Sequence, residues 1–431
     1  MFIMKMRYLY PLLALLLLCF GCEDSNKDSL LLEVSQSSFN AISSDGETVE
    51  VEITCNGSWT ASSNSKKWCS VTPQTGLENQ KLTIYIEGNL EKTARTAVVT
   101  VTSQGINKEI KLKQEPASTP FDPEKYHYKL PVIFHVLYND RNNNTQYVKE
   151  GRLPEILKRV NELYKHAGTN SVDMNLEFVL ATEDPKGNTL SEPGVERIKW
   201  KSASIDMEEF MFTNDHTYNY LIWEPNDYIN IMVYTFTDEN TLGVSHFPYT
   251  PQGYPLEGTE TVPYYITGDN LQYAYCISIN STYIYEESIN GRLNQNDAAI
   301  TLAHEIGHYL GLYHTFSEAT LNGVKICEDT DYCEDTPTYD RGEYMDWLES
   351  LSGNVSFADL AHRYDCQSGP FTARNIMDYS FCYLDEFTRD QKKRVRHILT
   401  YSSLIPGPKK GQANTRSTYD GPLDLPIRVM K

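Results

Sequence analysis

At 431 residues the chain is too long for one ordinary core and predicts two or three domains. A net charge of -20 argues against a nucleic-acid surface, which needs clustered Lys and Arg, so the acidity reads as a solvated exterior and no nucleic-acid partner is expected. With 40% hydrophobic and 22% charged residues, the composition is that of a soluble protein.

Residues 1–22 are expected to lie outside the fold. Lys5 and Arg7 precede "LLALLLLCF", an apolar run of signal-peptide length and too short to span a bilayer. Gly21 then stands directly before Cys22. The stretch resembles a bacterial lipoprotein signal, in which Cys22 becomes the lipidated first residue of the mature chain. Acidic "EDSNKD", within the tether 23–28, resembles the export tag of surface lipoproteins in some Gram-negative bacteria. The resemblance implies an outer-membrane or cell-surface lipoprotein held by its lipid. An ordinary secretory signal with an incidental cysteine is the alternative. Either way the chain leaves the cytoplasm, and disulfides become permissible.

Residues 29–116 behave as one block. "TVEVEITCN", "KLTIYIEG", "TAVVTVTSQ" and "KEIKLKQ" are short β-branched runs with near-alternation, separated by turn residues, and predict a small antiparallel β-sandwich. "CNGSWTASS", "WCSVTPQTG", "ARTAVVTVTS" and "KLKQEP" resemble the BACON domain, a bacterial immunoglobulin-like module. Trp59 and Trp68 are open to two readings, as platforms for a glycan or as core residues, and a sandwich this small favours the core. Cys55 and Cys69, the two cysteines of the block, are candidates for a disulfide.

"EPASTPFDPEK" is rich in proline and has no apolar period, so 117–126 reads as a linker. Beyond it, 127–431 predicts a single α/β or α+β domain. "YKLPVIFHVLY", "MNLEFVLAT", "YINIMVYTF" and "YAYCISIN" read as strands, and "LPEILKRVNELYKHAG" as a helix with Pro154 in its first turn and Gly168 at its end.

The chemistry sits in "NDAAITLAHEIGHYLGLYH". Asn296 or Asp297 is the expected N-cap, and Ile300, Ala303, Ile306 and Leu310 follow at helical spacing. His304 and His308 then lie one turn apart, about 40° around the axis, so both imidazoles can reach one tetrahedral zinc. Glu305, turned about 100° from His304, can approach the open side of the metal as a base without ligating it. Gly311 permits a left-handed turn that ends the helix and lets His314 return as the third ligand. HExxH alone is only suggestive. The extended HExxHxxGxxH lowers the chance of coincidence by about two orders of magnitude and is identified as the metzincin zinc motif. In "NIMDYS", Met377 is the candidate methionine turn beneath such a site. Tyr379 matches a tyrosine that in several metzincins lies near zinc and steadies the oxyanion, a buried structural tyrosine being the alternative.

Taken together, "LPVIFHVLY", "LGVSHFP", "HEIGHYLGLYHTF", "CEDTDYCEDTP" and "NIMDYSFCYLDEFTRDQKKRVR" resemble, in this order, the pappalysin-type metzincins, also called cytophagalysins. The resemblance spans about 127–400. It implies a multidomain protein: an all-β immunoglobulin-like sandwich, then an α+β metzincin catalytic domain. It places "LGVSHFP" just before the substrate-binding edge strand. It favours disulfides Cys327–Cys366 and Cys333–Cys382, which would staple a C-terminal region with little core of its own. Asp331 and Thr336 have the spacing of calcium-contacting residues in the relatives, and a solvated acidic loop is an equal alternative. The expected function is an exported, lipid-anchored zinc endopeptidase acting on extracellular proteins. The rival is a glycan- or mucin-binding surface lipoprotein that uses the peptidase domain as a scaffold.

Overall fold

A computed structural model describes residues 31–410 and 421–431, apart from positions 45, 67, 119–121, 167, 169, 264, 290, 291, 322, 323 and 380. The signal segment, Cys22 and the tether 23–28 lie outside the described residues. Contacts divide the chain between Thr119 and Pro120 into two compact units.

The N-terminal unit contains β1 (Leu32–Val34), β2 (Ser38–Ile42), β3 (Glu47–Cys55), β4 (Ser58–Ser63), β5 (Cys69–Thr72), β6 (Thr75–Leu77), β7 (Gln80–Ile86), β8 (Arg95–Ser103) and β9 (Ile106–Gln114). They form two sheets, in the orders β1-β3-β7-β5 and β2-β9-β8-β4-β6. Alternation decides the core: β4 buries Trp59, Ala61 and Ser63, and β8 buries Ala97, Val99, Val101 and Ser103. With Val51, Ile53, Leu82, Ile84, Ile110 and Leu112 these side chains make one apolar interior. Each full burial of a Val or Ile contributes about 1.5–3 kcal/mol. One pairing departs from the antiparallel expectation, since β2 runs parallel to β9.

Trp59 is a core residue, its indole N–H donating to the Glu78 carbonyl at 2.9 Å. Trp68 packs partly buried against the same core, with the Arg95 guanidinium 4.1 Å above its ring. Neither presents a bare sugar platform. The expected Cys55–Cys69 bridge is absent, and both thiols are free. Register explains it: Cys69 lies opposite Ile86 on β7, whereas Cys55 is two residues past Ile53, the partner of Gln80. Six residues of β7 separate Ile86 from Gln80, about 20 Å, and Cys55 lies two residues farther still, far beyond the reach of a disulfide.

The C-terminal unit begins with β10 (Tyr128–Tyr138), the single-turn α1 (Asn144–Tyr147), α2 (Arg152–His166), β11 (Leu176–Leu180), β12 (Val195–Lys199) and α3 (Met207–Phe212). Next come β13 (Ile229–Tyr234), β14 (Gly243–His246), β15 (Tyr249–Pro251), β16 (Glu260–Val262), β17 (Ile277–Asn280) and α4 (Ala298–Tyr309). The remainder holds β18 (Thr320–Leu321), β19 (Val324–Lys325), α5 (Arg341–Ser350), α6 (Phe357–Leu360), β20 (His362–Asp365), β21 (Gly369–Thr372), α7 (Arg389–Tyr401) and β22 (Val429–Met430). The main sheet has the order β11-β10-β13-β17-β14-β22, with β12 also paired to β10.

Central strand β13 is buried along its whole length because its two faces serve two cores. Ile229, Ile231 and Val233 join α2 and α4, while Met232 and Tyr234 join Phe210 and Met211 of α3. Helix α2 supplies Leu153, Ile156, Leu157, Val160 and Leu163, and its Tyr164 hydroxyl donates to the Ala303 carbonyl of α4 at 3.0 Å. Helix α4 is thus fixed against the sheet. "LGVSHFP" holds β14, which runs antiparallel to β17 and carries β22 on its other side.

Cys327 and Cys366 form a disulfide with a Cα–Cα distance of 5.9 Å. The second expected bridge does not form. Cys333 and Cys382 are buried free thiols, each turned into its own loop: Cys333 Sγ donates to the Asp331 carbonyl at 3.5 Å and Cys382 Sγ to the Asn375 carbonyl at 3.4 Å. Cys276 is likewise buried and free, 3.9 Å from Met211 Sδ. Thiol labelling in denaturant without reductant should therefore modify Cys55, Cys69, Cys276, Cys333 and Cys382 but neither Cys327 nor Cys366. A cross-linked Cys55–Cys69 or Cys333–Cys382 peptide in a non-reduced digest would contradict this arrangement.

Candidate metal centre

Asp297 caps α4, its Oδ1 accepting from the N–H groups of Ala299 at 2.9 Å and Ile300 at 3.2 Å. From that start, His304 and His308 fall on one face. The helix ends at Leu310, and Gly311 takes a left-handed φ of 88° that a side chain would strain. The turn brings His314 back to the pair. His308 Nε2 lies 3.0 Å from His304 Nε2 and 3.2 Å from His314 Nε2. Among the described residues this is the one group of three His, Cys or acidic side chains arranged to hold a metal ion.

Each imidazole is fixed through its other nitrogen. His304 Nδ1 bonds the Ile376 carbonyl at 2.8 Å, His308 Nδ1 the Leu312 carbonyl at 2.8 Å, and His314 Nδ1 the Glu318 carboxylate at 2.9 Å. These acceptors require Nδ1–H, so all three Nε2 lone pairs point at a common place. Burial disfavours protonation of all three rings, holding His304 at about 4 and the other two well below their usual value. Neutral imidazoles with converging lone pairs repel one another unless a cation lies between them. The nitrogen donor set fits zinc.

Glu305 is buried, and its Oε2 has no hydrogen-bond partner. Burial pushes its carboxyl well above the usual range. Gly243 of β14 lies directly against it: a Cβ there would come within 2.7 Å of Glu305 Cγ. An orphaned carboxylate oxygen beside three imidazoles is the arrangement expected of a base that works on a water held there.

The methionine turn packs underneath. Met377 is fully buried, its N–H donates to Asn375 Oδ1 at 2.9 Å, and its sulfur touches the position a Cβ of Gly307 would occupy. Tyr379 stands beside the triad, with its ring centroid 4.6 Å from that of His314 and 5.7 Å from that of His304. Its hydroxyl donates to the main-chain carbonyl of Lys431. Asp331 and Thr336 also meet, Thr336 Oγ1 lying 2.6 Å from Asp331 Oδ2, and burial raises the Asp331 carboxyl to about 8. That carboxylate is occupied by Thr336 and by the Cys333 N–H at 2.8 Å, with Asp329 beside it, and among the described residues the loop does not form a three-ligand metal group.

Residues 212–400 match the peptidase family model described as pregnancy-associated plasma protein-A, and residues 31–117 match the model described as viral BACON domain. The C-terminal domain is a pappalysin-type metallopeptidase. An extracellular metalloprotease of Arthroderma gypseum is 26% identical over 62% of this chain and 71% of its own, and one of Arthroderma otae is 29% identical over 57% and 71%. Mature mirolysin of Tannerella forsythia, solved in complex with a cleaved peptide, is 23% identical, covers 63% of this chain and 91% of its own, and has a TM-score of 0.42.

In this metallopeptidase domain several supporting residues carry no mark in the motif itself. Phe316 stacks on His314 at 4.7 Å, and Arg341 of α5 lies 4.5 Å over the Tyr379 ring. Glu318 is the most legible of them, since it stands one helical turn's spacing after His314. Gly243 could not be found, because its role is the absence of a side chain against a residue 62 positions away.

Replacing Gly307 with Ala tests the contact between helix and methionine turn. Ala gains about 1 kcal/mol of helix propensity. The new methyl must displace Met377, and overpacking costs about 1–3 kcal/mol. Net destabilisation is expected in thermal melts, with partial recovery when Met377→Ala is added. A Gly307→Ala protein that melts higher than the parent would contradict the packing.

Proposed function

We propose that the chain is an exported zinc endopeptidase that cleaves extracellular proteins, with His304, His308 and His314 as the metal ligands. The observation that carries this reading is the convergence of three Nδ1-anchored, neutral imidazoles beside an unpartnered buried Glu305. Zinc bound there would supply a Lewis acid for the scissile carbonyl and lower the pKa of a water to about 7.

Glu305 takes the proton of the attacking water and returns it to the leaving amine nitrogen. Its burial keeps bulk water from competing for that proton. Tyr379, which already donates to a main-chain carbonyl, would offer the same hydrogen bond to the developing oxyanion. The substrate would lie extended and join the sheet along β14, next to the base. Names of the relatives support an extracytoplasmic setting, and the lipid anchor at Cys22 belongs to the same proposal. No helix among the described residues is long and apolar enough to cross a membrane. Calcium at Asp331 and Thr336 is a subordinate part of the reading, supported by their contact. Added EGTA should lower the melting temperature if calcium binds there, and an unchanged melt would remove it.

The rival scaffold reading leaves Glu305 without a task, and the burial of Trp59 gives the glycan version no platform. Glu305→Gln should retain stoichiometric zinc while losing about 10²–10⁴-fold in casein or peptide hydrolysis. His308→Ala should lose the zinc itself, as should the parent protein treated with a strong chelator. Normal digestion by the Glu305→Gln protein would remove this base from the mechanism.

A further inference from the structure

The edge of the sheet beside the metal centre is already taken by the chain's own last residues. Strand β22 pairs antiparallel with β14, Ser245 opposite Met430 and His246 opposite Val429. The Phe247 N–H continues the ladder to the Arg428 carbonyl at 2.9 Å. Upstream, the Pro426 carbonyl accepts from the Tyr249 hydroxyl at 2.7 Å and the Leu423 carbonyl from Gln272 Nε2 at 3.1 Å. Met430 is buried against Phe247 and Tyr313. Lys431 follows, its carbonyl receiving the Tyr379 hydroxyl and facing His314. Its ammonium pairs with Glu208 in the first turn of α3.

We infer that residues 427–431 are a resident pseudosubstrate, held in the groove that a peptide must enter, with Lys431 in the position of the residue that precedes the cleaved bond. The inference rests on the metallopeptidase reading and deepens it in two ways. The segment must leave β14 before a substrate strand can pair there, so it holds the enzyme back. Its fit also assigns Glu208 as the acceptor for a basic side chain immediately before the scissile bond. Glu208 is exposed, so it selects a long side chain whose ammonium or guanidinium can stay partly in water.

Three features make the segment resemble a bound peptide. It contributes a two-residue strand whose pairing is with β14 alone. Its carbonyl at 431, rather than a side chain, addresses the tyrosine proposed for the oxyanion. And its side chains are read alternately, Met430 going into the apolar site of Phe247 and Tyr313 while Lys431 reaches Glu208.

The test compares zinc-loaded full-length protein with a chain stopped after Pro426 and with a full-length protein carrying Met430→Asp and Lys431→Glu, which keeps the segment but removes both anchors. Either release is expected to raise kcat/KM on a fluorogenic peptide at least tenfold. In a second arm, labelled peptide IRVMK is titrated by fluorescence anisotropy into the shortened protein carrying Glu305→Gln, so binding is read without turnover. It should bind, with at least tenfold weaker binding when its Lys is Glu, and Glu208→Lys should reverse that preference. Equal kcat/KM in all three proteins, or no binding of IRVMK to folded shortened protein, would overturn the inference. Should the shortened chain fail to fold by circular dichroism, the full-length double variant decides alone. Absence of hydrolysis in every form, alongside specific IRVMK binding, would instead count against the peptidase reading and leave the groove assignment standing.

Discussion

The site depends on one constraint: three imidazoles must stay neutral while their lone pairs converge. Each is held by an Nδ1–H bond from a different place, the turn after α4, the Ile376 carbonyl of the methionine turn, and Glu318. Outer-shell bonds of this kind are worth about 10–100-fold in metal affinity. The long C-terminal part of the domain, with its irregular loops and its Cys327–Cys366 bridge, exists in part to deliver the second and third of those acceptors. Met377 couples the two halves, because its sulfur rests on Gly307 between the first two ligands.

The sheet supplies the rest. By burying β13 on both faces it fixes α2 and α4, and through Tyr164 it fixes the helix that carries the ligands. Its other end brings Gly243 against Glu305, so that the proposed base and the strand proposed to receive a peptide are in contact. A glycine is needed there because any Cβ would intrude on the carboxylate. In the proposed mechanism one strand sets both catalytic and substrate geometry, and the same strand pairs with β22.

What the sequence disclosed and what it hid divide along a physical line. His304, Glu305, His308, Gly311 and His314 are legible because helical periodicity relates residues within a dozen positions. The core face of α2 and the alternation of β3 and β8 are legible for the same reason. Contacts fixed by register are not. Cys55 and Cys69 looked like partners only because they were alone in their block, and the pairing of β3, β7 and β5 separates them. Cys333 and Cys382 followed a family resemblance that the local turns of this chain do not honour. Strand β22 is two residues long and pairs with β14 across more than 180 positions, which leaves no period to read. Glu208 and Lys431 were silent for that reason.

Zinc K-edge X-ray absorption on the purified, zinc-loaded protein tests the central claim most directly, since it reports the atoms around the metal rather than the consequences of binding. Three imidazole nitrogens at about 2.0–2.1 Å, completed by oxygen, are expected. A sulfur shell near about 2.3 Å, or fewer than three imidazoles, would contradict the convergence of His304, His308 and His314 on one ion.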